Sequence, residues 1–231
     1  MQIPPPRIFV ITARDADAAI VFRRGPSDWF HLLKWDMSDD TFQAGAWFKG
    51  SMYPEKCDLS PDASLLLCFV LQGSRFDTSY THAWTAVSRA PWRDALGVWP
   101  QGMTYGGGGR FLSNRHLVIR HDNVFAHDEH PGKGLKVGVG SPELHSSSNE
   151  VDGARWSGRD RSGRLIYAKD GKIFRRGTLG VDTELIDLLW HDSRSKAGAG
   201  VGFPGPRLTG CKTSTPDNRF AKVDVHSLPQ F

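Results

Sequence analysis

The feature that most restricts this chain is a short unit that returns along it, a turn followed at once by an apolar run. In residues 56–70, KCDLSPDASLLLCFV, the turn residues Ser60, Pro61 and Asp62 lead into Leu65-Leu66-Leu67-Cys68-Phe69-Val70. Pro presets a turn φ and an Asp side chain can bond the backbone two residues on, so the chain reverses before the strand-like run begins. Four segments echo the unit. Ile20-Val21-Phe22 follows an Asp-containing turn, Leu117-Val118-Ile119 follows Ser113-Asn114, Leu165-Ile166-Tyr167 follows Ser162-Gly163, and Phe220 follows Pro216-Asp217-Asn218. Taking Ile20, Leu65, Leu117, Leu165 and Phe220 as equivalent gives spacings of 45, 52, 48 and 55 residues.

The stretches between the echoes hold further strand-like segments, including DWFHLLKWDM and FQAGAWFKG, HAWTAVSRAP and WRDALGVWPQG, and KIFRRG and TELIDLLW. The 25 Gly and 14 Pro suit a turn-rich chain, and the eight Trp and thirteen Phe supply bulky strand residues. The unit LSPDASLLLCFV resembles the Ser-Pro-Asp-Gly turn and apolar strand that open repeats in TolB-like and WD40-like β-propellers. Ala63 stands where those repeats have Gly, and no Gly-His…Trp-Asp pair closes the unit. The resemblance implies an all-β, small β-propeller-like domain over residues 1–231, with four or five blades of short antiparallel strands. Its blade-like units fall at about 7–52, 53–103, 104–148, 149–192 and 208–231. The last has room for two strands only, so either RIFVIT at the N-terminus completes it and closes a ring, or it caps a four-bladed body. The competing architecture is a β-sandwich or irregular all-β domain.

A net charge of +4 from 29 basic and 25 acidic residues is a mild bias, short of what a nucleic-acid-binding tail carries. The start, MQIPPPRIFVITARDADAAIVF, lacks a basic region followed by a long apolar core, and its three prolines oppose a signal helix. No apolar run approaches a membrane span. Cys57, Cys68 and Cys211 have no metal-binding spacing, and Cys57 and Cys68 read as core thiols, which suits a reducing compartment. A soluble, cytoplasmic protein without a membrane segment is expected.

The densest polar cluster is RHDNVFAHDEHPGKG, where His121, Asp122, His127, Asp128, Glu129 and His130 lie within ten residues. Imidazoles and carboxylates of this kind can hold a divalent ion, and a ligand position left to water would give a hydrolytic nucleophile. The spacing fits no zinc signature, and the competing reading is a solvated loop; His121, His127, Glu129 and His130 are the candidate ligands. The four glycines of TYGGGGRF lead into a strand, not a helix, which points to close backbone approach instead of a phosphate loop. Trp29 and Trp92 flank turns and, with His127 and His130, are the candidate rim residues for a ligand or partner. Asp39-Asp40 is explained by a turn, and no GxSxG or HExxH motif occurs.

The expectation is a non-enzymatic module that binds or scaffolds another protein through a rim of loops, with no cofactor. The alternatives are a metal-assisted hydrolase using the His121–His130 segment and a lectin-like module reading sugars with rim tryptophans. Partner identity and oligomeric state stay open.

Overall fold

The computed structural model describes residues 4–25, 28–72, 79–122, 124–148 and 150–189. The first sheet is an antiparallel meander of β1 (Arg7–Thr12), β2 (Ala18–Arg24), β3 (Trp29–Asp36) and β4 (Thr41–Lys49). Its β2 is apolar without alternation because both faces are covered. Ile20 and Phe22 pack with Phe30, Leu32, Met52, Leu66 and Trp84. On the other face Ala19 and Val21 pack with Leu33, Trp35, Ile166 and Ile173. A strand buried on both faces reads as a continuous apolar run.

The second sheet comprises β5 (Ser51–Met52), β6 (Asp58–Leu59), β7 (Leu65–Leu71), β8 (Ala83–Arg89) and β9 (Ala95–Pro100), with a 3₁₀ turn at Pro54–Lys56. Both β5 and β6 pair with one edge of β7, and β8 pairs with the other. The turn before β7 is organised by Asp62, whose carboxylate accepts from Ser60 Oγ at 2.7 Å, Ser64 N at 3.0 Å and Ser64 Oγ at 2.8 Å. These bonds offset its burial and hold the Asp62 carboxyl below the usual range. Ala63 adopts φ 59°, the left-handed region that glycine enters at least cost, which is why a related turn would carry Gly there.

The third sheet has three strands, β10 (Gly109–Phe111), β11 (His116–Ile119) and β12 (Lys136–Val139), and its last pair is parallel. The fourth is a meander of β13 (Trp156–Arg159), β14 (Leu165–Lys169), β15 (Lys172–Arg176) and β16 (Asp182–Asp187). Asp58 of β6 ties the second sheet to the third. Its carboxylate accepts from Phe111 N at 2.7 Å and lies 2.9 Å from His145 Nε2.

The expected propeller is not what these strands build. The four sheets are separate and open, and the buried clusters join them in a row. One unites the first and second sheets, one the first and fourth, and one the second and third through Leu67, Trp99, Phe111 and Leu117. No buried cluster among the described residues joins the third sheet to the fourth, so the sheets do not close on one another as blades. The units are also unequal, since only the third has three strands and a parallel pair. The apolar runs at Ile20, Leu65, Leu117 and Leu165 do form strands, in β2, β7, β11 and β14. A shared turn-and-strand signal therefore specifies local pairing without specifying a repeated, closed architecture. RIFVIT is β1 and pairs with β2 of its own sheet, and no other strand pairs with it among the described residues. The unit at 208–231 lies outside the described residues.

The first and fourth sheets are also locked by charge. Arg175 of β15 donates from Nη1 and Nη2 to the two Asp40 carboxylate oxygens at 2.5 and 2.7 Å, and its Nε lies 3.5 Å from Asp160 Oδ2. Asp40 also accepts from Trp35 Nε1 at 3.1 Å, and the guanidinium lies 5.6 Å from the Trp35 ring. The turn that reads as sufficient reason for Asp39-Asp40 thus also carries an inter-sheet contact.

Candidate functional site

The histidine-rich segment is held far more closely than a loop with Pro131 and Gly132 suggests. It runs along the edge of β9. His127 N donates to Val98 O at 2.8 Å, Val98 N to His130 O at 3.0 Å, and Gly132 N to Leu96 O at 2.8 Å. Trp99 Nε1 donates to Val124 O at 3.1 Å. A sheet edge carries a row of unpaired N–H and C=O groups, and this segment covers the one on β9. Gly97 and Gly132 permit the approach: a Cβ on Gly97 would stand 2.6 Å from the Trp99 ring and 2.9 Å from Gly132 Cα.

Three of the candidate side chains gather around Tyr80. The His127 ring stacks on the Tyr80 ring at 3.8 Å with planes 12° apart, and the Tyr80 hydroxyl donates to Glu129 Oε2 at 2.6 Å. The His130 ring is tilted against both, 6.0 Å from Tyr80 and 6.1 Å from His127. Ser79 Oγ lies 2.9 Å from His127 Nε2. That pairing has the outline of a serine–histidine dyad, but the other ring nitrogen decides its sense. His127 Nδ1 accepts the Glu129 N–H at 3.2 Å, so the neutral ring carries its proton on Nε2 and donates it to Ser79. A histidine in that tautomer cannot take the serine proton as a general base.

Burial and the adjacent Glu129 carboxylate push the Tyr80 phenol up to about 12. A raised phenol pKa means that the folded protein keeps its proton where the unfolded chain has lost it. The resulting stabilisation is complete below pH 10 and disappears as pH rises from about 10 to about 12. Tyr80→Phe should therefore flatten this part of the alkaline limb relative to the native protein, measured as the urea midpoint across that range. Identical alkaline limbs would show that the bond to Glu129 does not hold the phenol proton.

The remaining candidates are placed elsewhere. His121 is half-buried just beyond β11. Among the described residues no three His, Cys, Asp or Glu side chains are grouped so as to hold a metal ion. Trp29 meets Trp47 edge-on at 6.4 Å, and Trp47 in turn stacks on His31 at 4.2 Å. Trp92 is half-buried at the β8–β9 turn, where its N–H donates to Arg89 O at 2.7 Å and its carbonyl accepts from Ser88 Oγ at 2.7 Å. The glycine run does mark close approach: a Cβ on Gly107, at φ 84°, would stand 2.1 Å from the Phe69 ring. Cys57 and Cys68 are buried free thiols, and burial raises the Cys57 thiol well above its usual value. Trp190 and Cys211 lie outside the described residues.

No protein-family model, curated protein or solved structure matches this chain. Among the described residues no helix is long and apolar enough to cross a membrane. The domain is all-β, and its surface of loops and sheet edges is of the general kind that meets other proteins.

Sequence reasoning missed Ser79 and Tyr80, because nothing local joins them to residues almost fifty positions away. It also missed the exposed side chains around the third sheet. Tyr105 is 94% exposed and Phe125 80%, and Met103 and Leu112 are also exposed. Seven of the ten large apolar side chains left exposed among the described residues fall between Met103 and Leu144. Their signal was available as aromatic and aliphatic residues in Gly- and Asp-rich loops, but exposure depends on what the fold lays over them.

Proposed function

We propose that this chain is a non-enzymatic module that binds a partner protein through the third sheet and the loops around it. The observation that carries the reading is the concentration of exposed apolar side chains there, headed by Tyr105 and Phe125. Contiguous exposed apolar surface marks interaction sites, and aromatic side chains dominate binding energy at such sites. A second feature fits the same role. Strand β12 ends its sheet, with β11 on one side and no strand paired to the other among the described residues. An extended segment of a partner can add to such an edge through main-chain hydrogen bonds. The Tyr80–His127–Glu129 group acts here as a rigid support beside the surface. His127 and His130 are rim residues in this reading, with the His127 ring held by Tyr80 as the Trp29 ring is held by Trp47.

A photo-crosslinking residue placed at 105 or 125 should capture a single partner in the host cell, and one placed at Lys169 on the fourth sheet should not. The double variant Tyr105→Ala/Phe125→Ala should weaken that partner by at least about 30-fold, the effect of losing about 2 kcal/mol at a binding hot spot. Equal labelling from 105, 125 and 169, or an affinity unchanged in the double variant, would remove the third sheet as the binding surface.

A further inference from the structure

A concavity, lined by none of the residues of that surface, opens at the end of the layer between the first and second sheets. Its volume is ≈ 390 Å³, at the small end of the range for ligand sites. Arg7, Arg24 and Arg155 line it together with Phe9, Phe22 and Phe30, the last two being core residues that present only an edge to it. The pairing register explains the convergence. Arg7 faces Arg24 directly across β1 and β2, Phe9 faces Phe22 two positions further in, and Arg24 faces Phe30 across β2 and β3. Arg155 arrives from the residue before β13.

Like charges placed opposite each other on adjacent strands destabilise a sheet. Several arginines elsewhere meet carboxylates, as in Arg159–Glu150, Arg164–Asp160, Arg175–Asp40 and Arg176–Asp182, and Arg23 and Arg110 donate to main-chain carbonyls. Arg7, Arg24 and Arg155 form no ion pair among the described residues; Arg24 lies over the Phe30 ring at 5.4 Å. Glu55 also lines the space, so the four ionised side chains sum to a charge of +2. A phosphate monoester carries close to two negative charges near pH 7 and offers its oxygens to guanidinium groups in the geometry Arg binds best. The phenylalanine lining suits a flat apolar body attached to that phosphate.

We propose that this cleft binds a small phosphate monoester whose phosphate meets Arg7, Arg24 and Arg155 and whose aromatic body lies against Phe9, Phe22 and Phe30. The uncompensated arginine pair is then a cost to the fold that the ligand relieves. The site is independent of the surface around the third sheet, and neither stands or falls with the other.

The test is calorimetric titration of the full chain with phenyl phosphate, inorganic phosphate and benzyl alcohol, repeated on Arg7→Ala, Arg24→Ala and the control Arg176→Ala. Phenyl phosphate should bind one to one, at least tenfold tighter than inorganic phosphate, and benzyl alcohol should not bind measurably. Arg7→Ala and Arg24→Ala should each weaken phenyl phosphate by at least tenfold, and Arg176→Ala should leave it unchanged. Both altered arginines lie at the surface end of their strands, and the thermal unfolding of each variant reports folding separately from binding. Phenyl phosphate and inorganic phosphate binding equally would remove the role of the phenylalanines. Failure of all three probes at millimolar concentration, or binding unaltered in Arg7→Ala and Arg24→Ala, would overturn the site. A phosphotyrosine peptide binding more tightly than both phenyl phosphate and a nucleoside monophosphate would overturn the small-molecule assignment.

Discussion

Arg175→Ala should lower the unfolding free energy by about 3 kcal/mol, within the range for breaking one side of a buried ion pair. The side chain is only 11% exposed and holds Asp40 of the first sheet against Asp160 of the fourth. Removing it leaves the Asp160 carboxylate, itself 4% exposed, with Arg164 as its remaining ion-pair partner, and takes from Trp35 the cation over its ring. The measurement is urea denaturation at pH 7. A loss below about 1 kcal/mol, the value of a surface pair, would mean that the sheets are held by the apolar cluster alone. Acid unfolding supplies a second reading of the same network. Burial by itself would raise the Asp160 carboxyl, but bonds from Ser162 and Arg164 outweigh it and leave the group below its usual value of 3.8. The unfolded chain therefore takes up this proton first, so the stabilisation is complete above about pH 4 and falls away as pH drops further. Asp160→Asn should make stability less dependent on pH in that acid range.

Trp99→Ala should cost about 3–5 kcal/mol, the range for deleting a buried aromatic side chain, and it should also release the histidine-rich segment. Trp99 is 1% exposed and packs between the second and third sheets with Leu65, Val87, Phe111 and Ile119. Its indole N–H holds the Val124 carbonyl, and Gly97 and Gly132 close on its ring. Hydrogen exchange distinguishes the two consequences. The amides of His127 and Gly132, which bond to Val98 and Leu96, should lose protection by more than the global destabilisation explains. Loss of stability with those amides still protected would show that the main-chain bonds along β9 hold the segment without the tryptophan.

The propeller resemblance shows where local sequence stops being informative. Turn chemistry is decided within five residues, so Ser60-Pro61-Asp62 and Ser162-Gly163 both announce a strand, and the strands are there as β7 and β14. Those strands pair with neighbours in sequence, but which sheets pack on each other depends on residues as far apart as Val21 and Ile166. Val118 makes the same point on a smaller scale. Within one apolar run it is half-buried, while Leu117 and Ile119 are buried completely. Strand β11 packs one face, through Leu117 and Ile119, into the cluster shared with the second sheet, and alternation returns. By contrast Leu66, Phe69 and Ile166 are fully buried.

The candidate sites divide in the same way. The residue types in His121–His130 are visible in the sequence, but the tautomer of His127 follows from one backbone N–H, and the role of Glu129 follows from Tyr80. Arg23-Arg24 is legible as a basic pair, yet β-strand alternation sends its members to opposite faces. Arg23 donates to Leu188 O at 2.8 Å at the end of the fourth sheet, and Arg24 turns toward the cleft with Arg7. By itself the sequence determined an all-β chain, its turns and the apolar runs of its strands, because those depend on chemistry between near neighbours. The tertiary structure decided the open row of sheets, the covering of β9, the exposed surface at the third sheet and the convergence of three arginines. Each of these depends on which distant segment covers a given face or edge, and that choice is made only when the sheets pack.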